Sequence, residues 1–154
     1  MDHAFLLLLR FVHVVGGVLW VGGVCILAWF VGPTVRAEGA DGVRFATRMM
    51  LERKLSQWLS AFAGLAILSG FILYTRATMG TDGAFARSRP GMVFGIGAVA
   101  ALAAMVTGTT MGTATGKRMG AMRARLAQRN ARGSRITAVL LVVATAAMAV
   151  ARYA

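Results

Sequence analysis

Four runs of roughly twenty apolar residues, at 5–31, 56–75, 92–113 and 136–153, constrain this chain more than any other feature. At 1.5 Å of helix rise per residue, about 20 residues cross a ~30 Å hydrocarbon core. Composition points the same way. Of 154 residues 58% are hydrophobic and 14% charged, with a mean hydropathy of +0.69. A soluble domain of this length keeps a more polar surface. The predicted fold is an all-α integral membrane protein. It is a four-transmembrane-helix bundle running up-down-up-down, a single membrane domain over 1–154. The first run is too long for a secretory signal, begins with Asp2 instead of a basic cluster, and has no small-residue cleavage site. It reads as a retained span. The one cysteine, Cys25, lies inside it, so no intramolecular disulfide forms.

The net charge of +12 invites a nucleic-acid reading, but the placement of the charges argues for topology. Arg36, Arg44, Arg48, Arg53 and Lys54 follow the first run. Lys117, Arg118, Arg123, Arg125, Arg129, Arg132 and Arg135 follow the third. Only Arg10, Arg76, Arg87, Arg89 and Arg152 belong to the other side. This asymmetry puts the two basic loops in the cytoplasm and both termini outside, in a cell inner (cytoplasmic) membrane. The expected partners are the lipid bilayer, whose anionic heads attract such loops, and other membrane subunits or a homo-oligomer. No nucleic acid is expected, since no aromatic platform accompanies the charge.

Punctuation along the chain sets the predicted helix ends. Gly32-Pro33 is expected to stop the first helix, because proline disfavours helix in the residue before it. A polar turn at 36–40 should lead to a second helix running from Asp41, as N-cap, unbroken to Thr75, with a cytoplasmic extension. A glycine-rich connection is expected at 77–91, with the third helix starting after Pro90 and extending in the cytoplasm to about Arg129. Asn130, Gly133 and Ser134 are then expected to turn the chain into the last span. Within the third helix Ala100, Ala104, Gly108, Gly112, Gly116 and Gly120 recur every four residues. Small residues at that spacing let membrane helices approach closely, so Gly108, Gly112, Gly116 and Gly120 are expected to form a packing seam. The neighbouring threonines can bond back to their own carbonyls.

Chemistry is concentrated in the first run, where Arg10, His13, Gly17, Trp20 and Val24 lie on one helical face. A histidine ten residues inside an apolar span must face the bundle and find a partner. Two readings stand. His13 is a structural residue bonded to a hydroxyl or carbonyl of a neighbouring helix, or it is an axial ligand for haem iron. In the second case Gly17 clears room for the macrocycle, Trp20 packs on it, and Arg10 reaches a propionate. For Arg10 snorkelling to the headgroups, and for Trp20 core packing, are the plain alternatives. A copper site finds little support, because His13 and Cys25 lie about 18 Å apart along one helix. His3 is about 15 Å from His13 by the same rise.

The run Arg10-Phe11-Val12-His13, followed by Gly16-Gly17, Trp20 and Gly22-Gly23, resembles the first span of copper-resistance D-type (CopD-like) bacterial proteins and an uncharacterised relative of them. It is also similar to the first span of HemJ-type (HemJ-like) protoporphyrinogen oxidases and to the opening of the membrane domain of cytochrome c-type urate oxidases. In the HemJ-type pattern a histidine is followed seven residues on by tryptophan and three later by glycine, as His13, Trp20 and Gly23 are here. That resemblance implies haem b as cofactor, with His13 as ligand. The Pro-Arg pair that those enzymes carry after the glycine has no counterpart, since Pro33 comes later and Thr34 follows it. The expected function is a small membrane protein binding haem b in a redox role. The rivals are a non-catalytic accessory subunit packing through its glycine seam, and copper or small-solute transport.

Overall fold

A computed structural model describes the backbone of residues 3–117 and 123–153, and the side chains of these outside 109–131 and Arg152. The described chain is helical, without strands, and four of its helices are long and apolar enough to cross a membrane. In hydrocarbon a helix satisfies every backbone N–H and C=O within its own segment, which is why apolar runs of this length adopt it.

The first helix, α1 (His3–Ile26), does not stop at Gly32-Pro33. It continues through a π-turn (Leu27–Val31) into α2 (Gly32–Ala37), giving one stretch of 35 residues from His3 to Ala37. The π-turn is what lets proline through. The Gly32 N–H bonds the Leu27 carbonyl five residues back, so the ladder is already widened where Pro33 lacks a donor and its ring needs room. A side chain at Gly32 would press on that same carbonyl, at 2.9 Å. Thr34 Oγ1 then donates to the Phe30 carbonyl at 2.9 Å.

The turn falls at Glu38 and Gly39, where Gly39 takes φ +55°, and α3 (Gly39–Thr47) follows. Asp41 is therefore not an N-cap; it lies in the first turn of α3 and pairs with Arg44. The second helix is not continuous either. After a second π-turn (Arg48–Glu52) the chain breaks at Arg53 and Lys54, and α4 (Leu55–Met79) begins afresh. Lys54 sits in the left-handed region at φ 56°, a conformation that costs a non-glycine residue on the order of 1 kcal/mol. The Ser56 hydroxyl bridges the break by donating to the Met50 carbonyl at 3.2 Å. No glycine or proline marks this break in the sequence.

At the far end of α4, a turn through Asp82 and Gly83 and the short α5 (Ala84–Arg87) lead into α6 (Arg89–Lys117). Here Ser88 is the cap, its Oγ accepting from the Gly91 N–H at 3.2 Å, and Pro90 stands inside the first turn, where a missing donor costs nothing. Tyr74 closes this end by donating to the Gly91 carbonyl at 3.4 Å and packing edge-on against Phe85.

The last helix, α7 (Arg123–Val150), runs straight through Asn130, Gly133 and Ser134, followed by a 3-10 turn (Ala151–Tyr153). The expected turn at 130–134, and the expected extension of the third helix to Arg129, are thus replaced by helix belonging to α7. Strong helix formers on both sides (Arg, Ala, Leu, Gln) outweigh three weak ones, and Gly133 is buried. The connection lies between Lys117 and Arg123, outside the described residues.

The helices associate as two close pairs, α1 with α4 and α6 with α7, joined by lighter contacts of α1 with α7 and of α4 with α6. One core cluster belongs to all four: Trp20 from α1, Ala63 and Ala66 from α4, Ala104 from α6 and Leu141 from α7. Apart from Trp20 and Leu141 these are alanines. Small residues bring the backbones together, and one indole fills the centre. Most other large apolar side chains, such as Phe11, Val18, Leu68, Phe71 and Val99, face outward, as a bundle surrounded by lipid requires.

Candidate functional site

His13 lies in the cleft between α1 and α4. Its Nδ1 is 2.7 Å from the Ala66 carbonyl oxygen. A carbonyl only accepts, so Nδ1 carries the hydrogen and donates it. In the neutral ring the lone pair then sits on Nε2. Ser69 Oγ stands 3.5 Å from the same Nδ1 and itself donates to the Leu65 carbonyl at 2.5 Å. Beneath the ring is Gly70: a Cβ there would come within 2.6 Å of His13 Cε1 and 2.9 Å of Nδ1. Any side chain at residue 70 would evict the imidazole. One turn along, a Cβ on Gly16 would meet the Phe62 carbonyl at 3.2 Å and the Ala66 nitrogen at 3.4 Å, a backbone-to-backbone approach. Gly23 continues the contact, with the Leu59 side chain occupying the place of its absent Cβ.

The two nitrogens of His13 therefore have different fates. Nδ1 is committed to α4. Nε2 has no hydrogen-bond partner among the described residues, and the ring is only half-buried. Within an apolar span such a nitrogen calls for a further partner. Metal-ligating histidines are held in this way, with one ring N–H fixed on a carbonyl and the other nitrogen offered to the metal.

The remaining residues singled out in the sequence divide. Arg10 is exposed, one turn from His13. Gly17 has open space where a Cβ would stand. Trp20, 6% exposed, is a member of the four-helix core. Gly108 is less tightly packed than a seam requires, its absent Cβ lying 3.8 Å from Thr137 Cγ2. The environments of Gly112, Gly116 and Gly120 lie outside the described residues. Among the described residues, α6 makes a close glycine contact with α7 at Gly97, where a Cβ would meet the Ala144 carbonyl at 3.2 Å. Among the described residues no three His, Cys, Asp or Glu side chains gather as a metal cluster. An open, largely apolar cleft of about 410 Å³ is found away from His13, between α3 and the first π-turn with α2, with Phe30, Val35, Glu38, Asp41 and Phe45 on its walls.

Ala66, Ser69 and Gly70 were not singled out by sequence reading. Their signal was present: Ala63, Ala66 and Gly70 follow the three-four spacing of a small-residue face on the second span.

Four apolar helices of spanning length define the class, a multi-pass membrane protein. No family model, curated protein or solved structure matches the chain.

Proposed function

We propose that this is a small inner-membrane protein that binds haem b through His13 Nε2 and serves a membrane redox step. The observation that carries this reading is the His13 Nδ1–Ala66 carbonyl bond at 2.7 Å, which fixes the ring and leaves Nε2 without a partner among the described residues. The residues fit the group in part. His13 would hold the iron, Arg10 would meet a propionate, and Gly17 leaves open space beside them. Trp20 and Gly16 are taken up by helix packing. A haem held there supplies one-electron transfer within the bilayer. The likeness of the His13, Trp20 and Gly23 spacing to the HemJ-type and copper-resistance D-type first spans supports the same assignment.

In this reading the four helices run up-down-up-down with both termini outside. The charge asymmetry supports that orientation. The order of contacts supports the alternation. His13 meets Ser69 and Gly70 while Gly23 meets Leu59, and Thr107 meets Thr137 while Gly97 meets Ala144 to Met148.

A second reading draws on the fate of Trp20 and Gly16: a non-catalytic subunit of a larger membrane complex, whose His13 Nε2 contacts another chain. An absorption spectrum separates the two. Protein purified from haem-supplemented cells should show a Soret band, which His13→Ala abolishes and Arg10→Ala weakens. A colourless wild type would refute the haem reading and leave the subunit reading in place.

A further inference from the structure

Beyond the expected inner ends of the first two spans, the chain folds into a hairpin whose surface mixes cations with uncovered apolar side chains. Two tryptophans set the level. Trp29 near the end of the first span and Trp58 in the second turn of α4 are both exposed, and the Gly23–Leu59 contact holds these parts of α1 and α4 side by side. Exposed tryptophans at the end of a span mark where hydrocarbon gives way to headgroups. From Trp29 to Ala37 the helix advances about 12 Å, and Lys54 precedes Trp58 by about 6 Å. The headgroup layer is itself roughly 5–7 Å deep on each side. The stretch from His3 to Ala37, about 52 Å long, overshoots a ~30 Å core and carries the hairpin into that layer.

Positive φ values at Gly39 and Lys54 bound α3 and its π-turn, so this segment continues neither α2 nor α4. Val43 and Phe45 are each 59% exposed and Leu51 is 70% exposed. Between and beside them stand Arg44, Arg48, Arg53 and Lys54, all exposed. Of the acids here, Asp41 is already paired with Arg44, and Glu38 and Glu52 are outnumbered by Arg36, Arg48, Arg53 and Lys54. Phe45, two residues from Val43 and so on the other side of α3, instead walls the cleft with Phe30 and Val35. Apolar side chains interleaved with excess cations match one surface: a leaflet of anionic phospholipid, whose heads pair with the cations while its acyl boundary takes the apolar groups.

We propose that residues 39–54 form an interfacial collar that binds anionic phospholipid heads, with Val43 and Leu51 immersed at the acyl boundary. This rests on the reading of the four helices as spans, and the test keeps the two apart. With Cys25 replaced by serine, single cysteines are placed at Leu51 and at Leu68, which is exposed midway along α4. Each is spin-labelled, and the full chain is reconstituted in phosphatidylcholine bilayers with and without phosphatidylglycerol. Expected is a label at Leu68 reached by lipid-dissolved oxygen in both bilayers. The label at Leu51 should be reached by oxygen when phosphatidylglycerol is present, with contact to an aqueous nickel reagent at least about threefold lower. Arg44→Gln, Arg48→Gln, Arg53→Gln and Lys54→Gln combined should erase the phosphatidylglycerol effect at Leu51 and leave Leu68 unchanged. If Leu68 stays in lipid while Leu51 is equally water-accessible in both bilayers, the collar is wrong and the spans stand. A Leu51 label shielded from both reagents would mean that a second copy covers it, which also overturns the collar. A water-accessible Leu68 would overturn the spans, and the collar with them.

Discussion

The α1–α4 contact and the α6–α7 contact are close helix pairs in one bundle, but different chemistry closes them. Both use a glycine to admit a backbone: Gly16 against Phe62 and Ala66 in the first pair, Gly97 against Ala144 in the second. Both also carry polar side chains. In α6–α7, Thr107 and Thr137 stand 2.9 Å apart and within bonding distance of carbonyls of their own helices, Ala103 at 2.9 Å and Gly133 at 3.0 Å. Each hydroxyl has one hydrogen, so one threonine donates to the other and the second donates to a carbonyl of its own helix. In α1–α4 the polar group is an imidazole, and the contact uses only one of its nitrogens. A threonine pair completes a packing interface. A histidine held by Nδ1 completes one and presents a second site.

That difference can be attacked by overpacking first. Gly16→Leu should have the largest effect, because its new side chain meets backbone at 3.2–3.4 Å, which cannot rotate aside. Overpacking costs ~1–3 kcal/mol, and this site should fall at the upper end. A thermal-unfolding scan in detergent should show a clear drop, and any bound haem should be lost. An unchanged midpoint would mean that α1 and α4 do not approach so closely. Gly97→Leu should cost somewhat less, since one of the three atoms it meets belongs to the flexible Met148 side chain, which can give. It should leave the His13 site intact, so its haem content per folded protein should equal that of wild type.

Smaller effects separate the polar groups. Thr137→Val should lower stability by about 0.6 kcal/mol, the usual size of an interhelical hydrogen bond in a membrane, with no change in any ligand signal. Gly108→Ala should be neutral or stabilising by up to ~1 kcal/mol. The added methyl finds ordinary contact with Thr137 at 3.8 Å, and alanine is the better helix former. A marked loss at Gly108 would restore it to a tight seam.

Much of the fold could be read from the sequence because lipid imposes a simple rule: a long apolar run becomes a helix. The four spans are therefore recognisable, but their ends are not. Pro33 reads as a stop because local propensity takes no account of a π-turn that absorbs the missing donor. Lys54 carries no turn signal at all, yet its backbone is left-handed. Asn130, Gly133 and Ser134 look like a turn, but the helix formers on both sides carry α7 through them. At the site, His13 could be singled out because an ionisable ring inside an apolar span is costly. Its acceptor could not, since the Ala66 carbonyl is a backbone atom and any residue type would supply one. Gly70 needed the three-dimensional contact to be told from the many other glycines in the spans.

The most direct measurement is nitrogen NMR of histidine in the full chain, labelled at both ring nitrogens and reconstituted in bilayers. His13→Gln assigns the resonances by leaving only those of His3. Expected for His13 is a protonated Nδ1 shifted by a hydrogen bond to a carbonyl, and a bare Nε2 whose resonance moves or broadens when haem is added. A His13 ring protonated at Nε2 with a bare Nδ1 would contradict both the bond to Ala66 and the site proposed to depend on it.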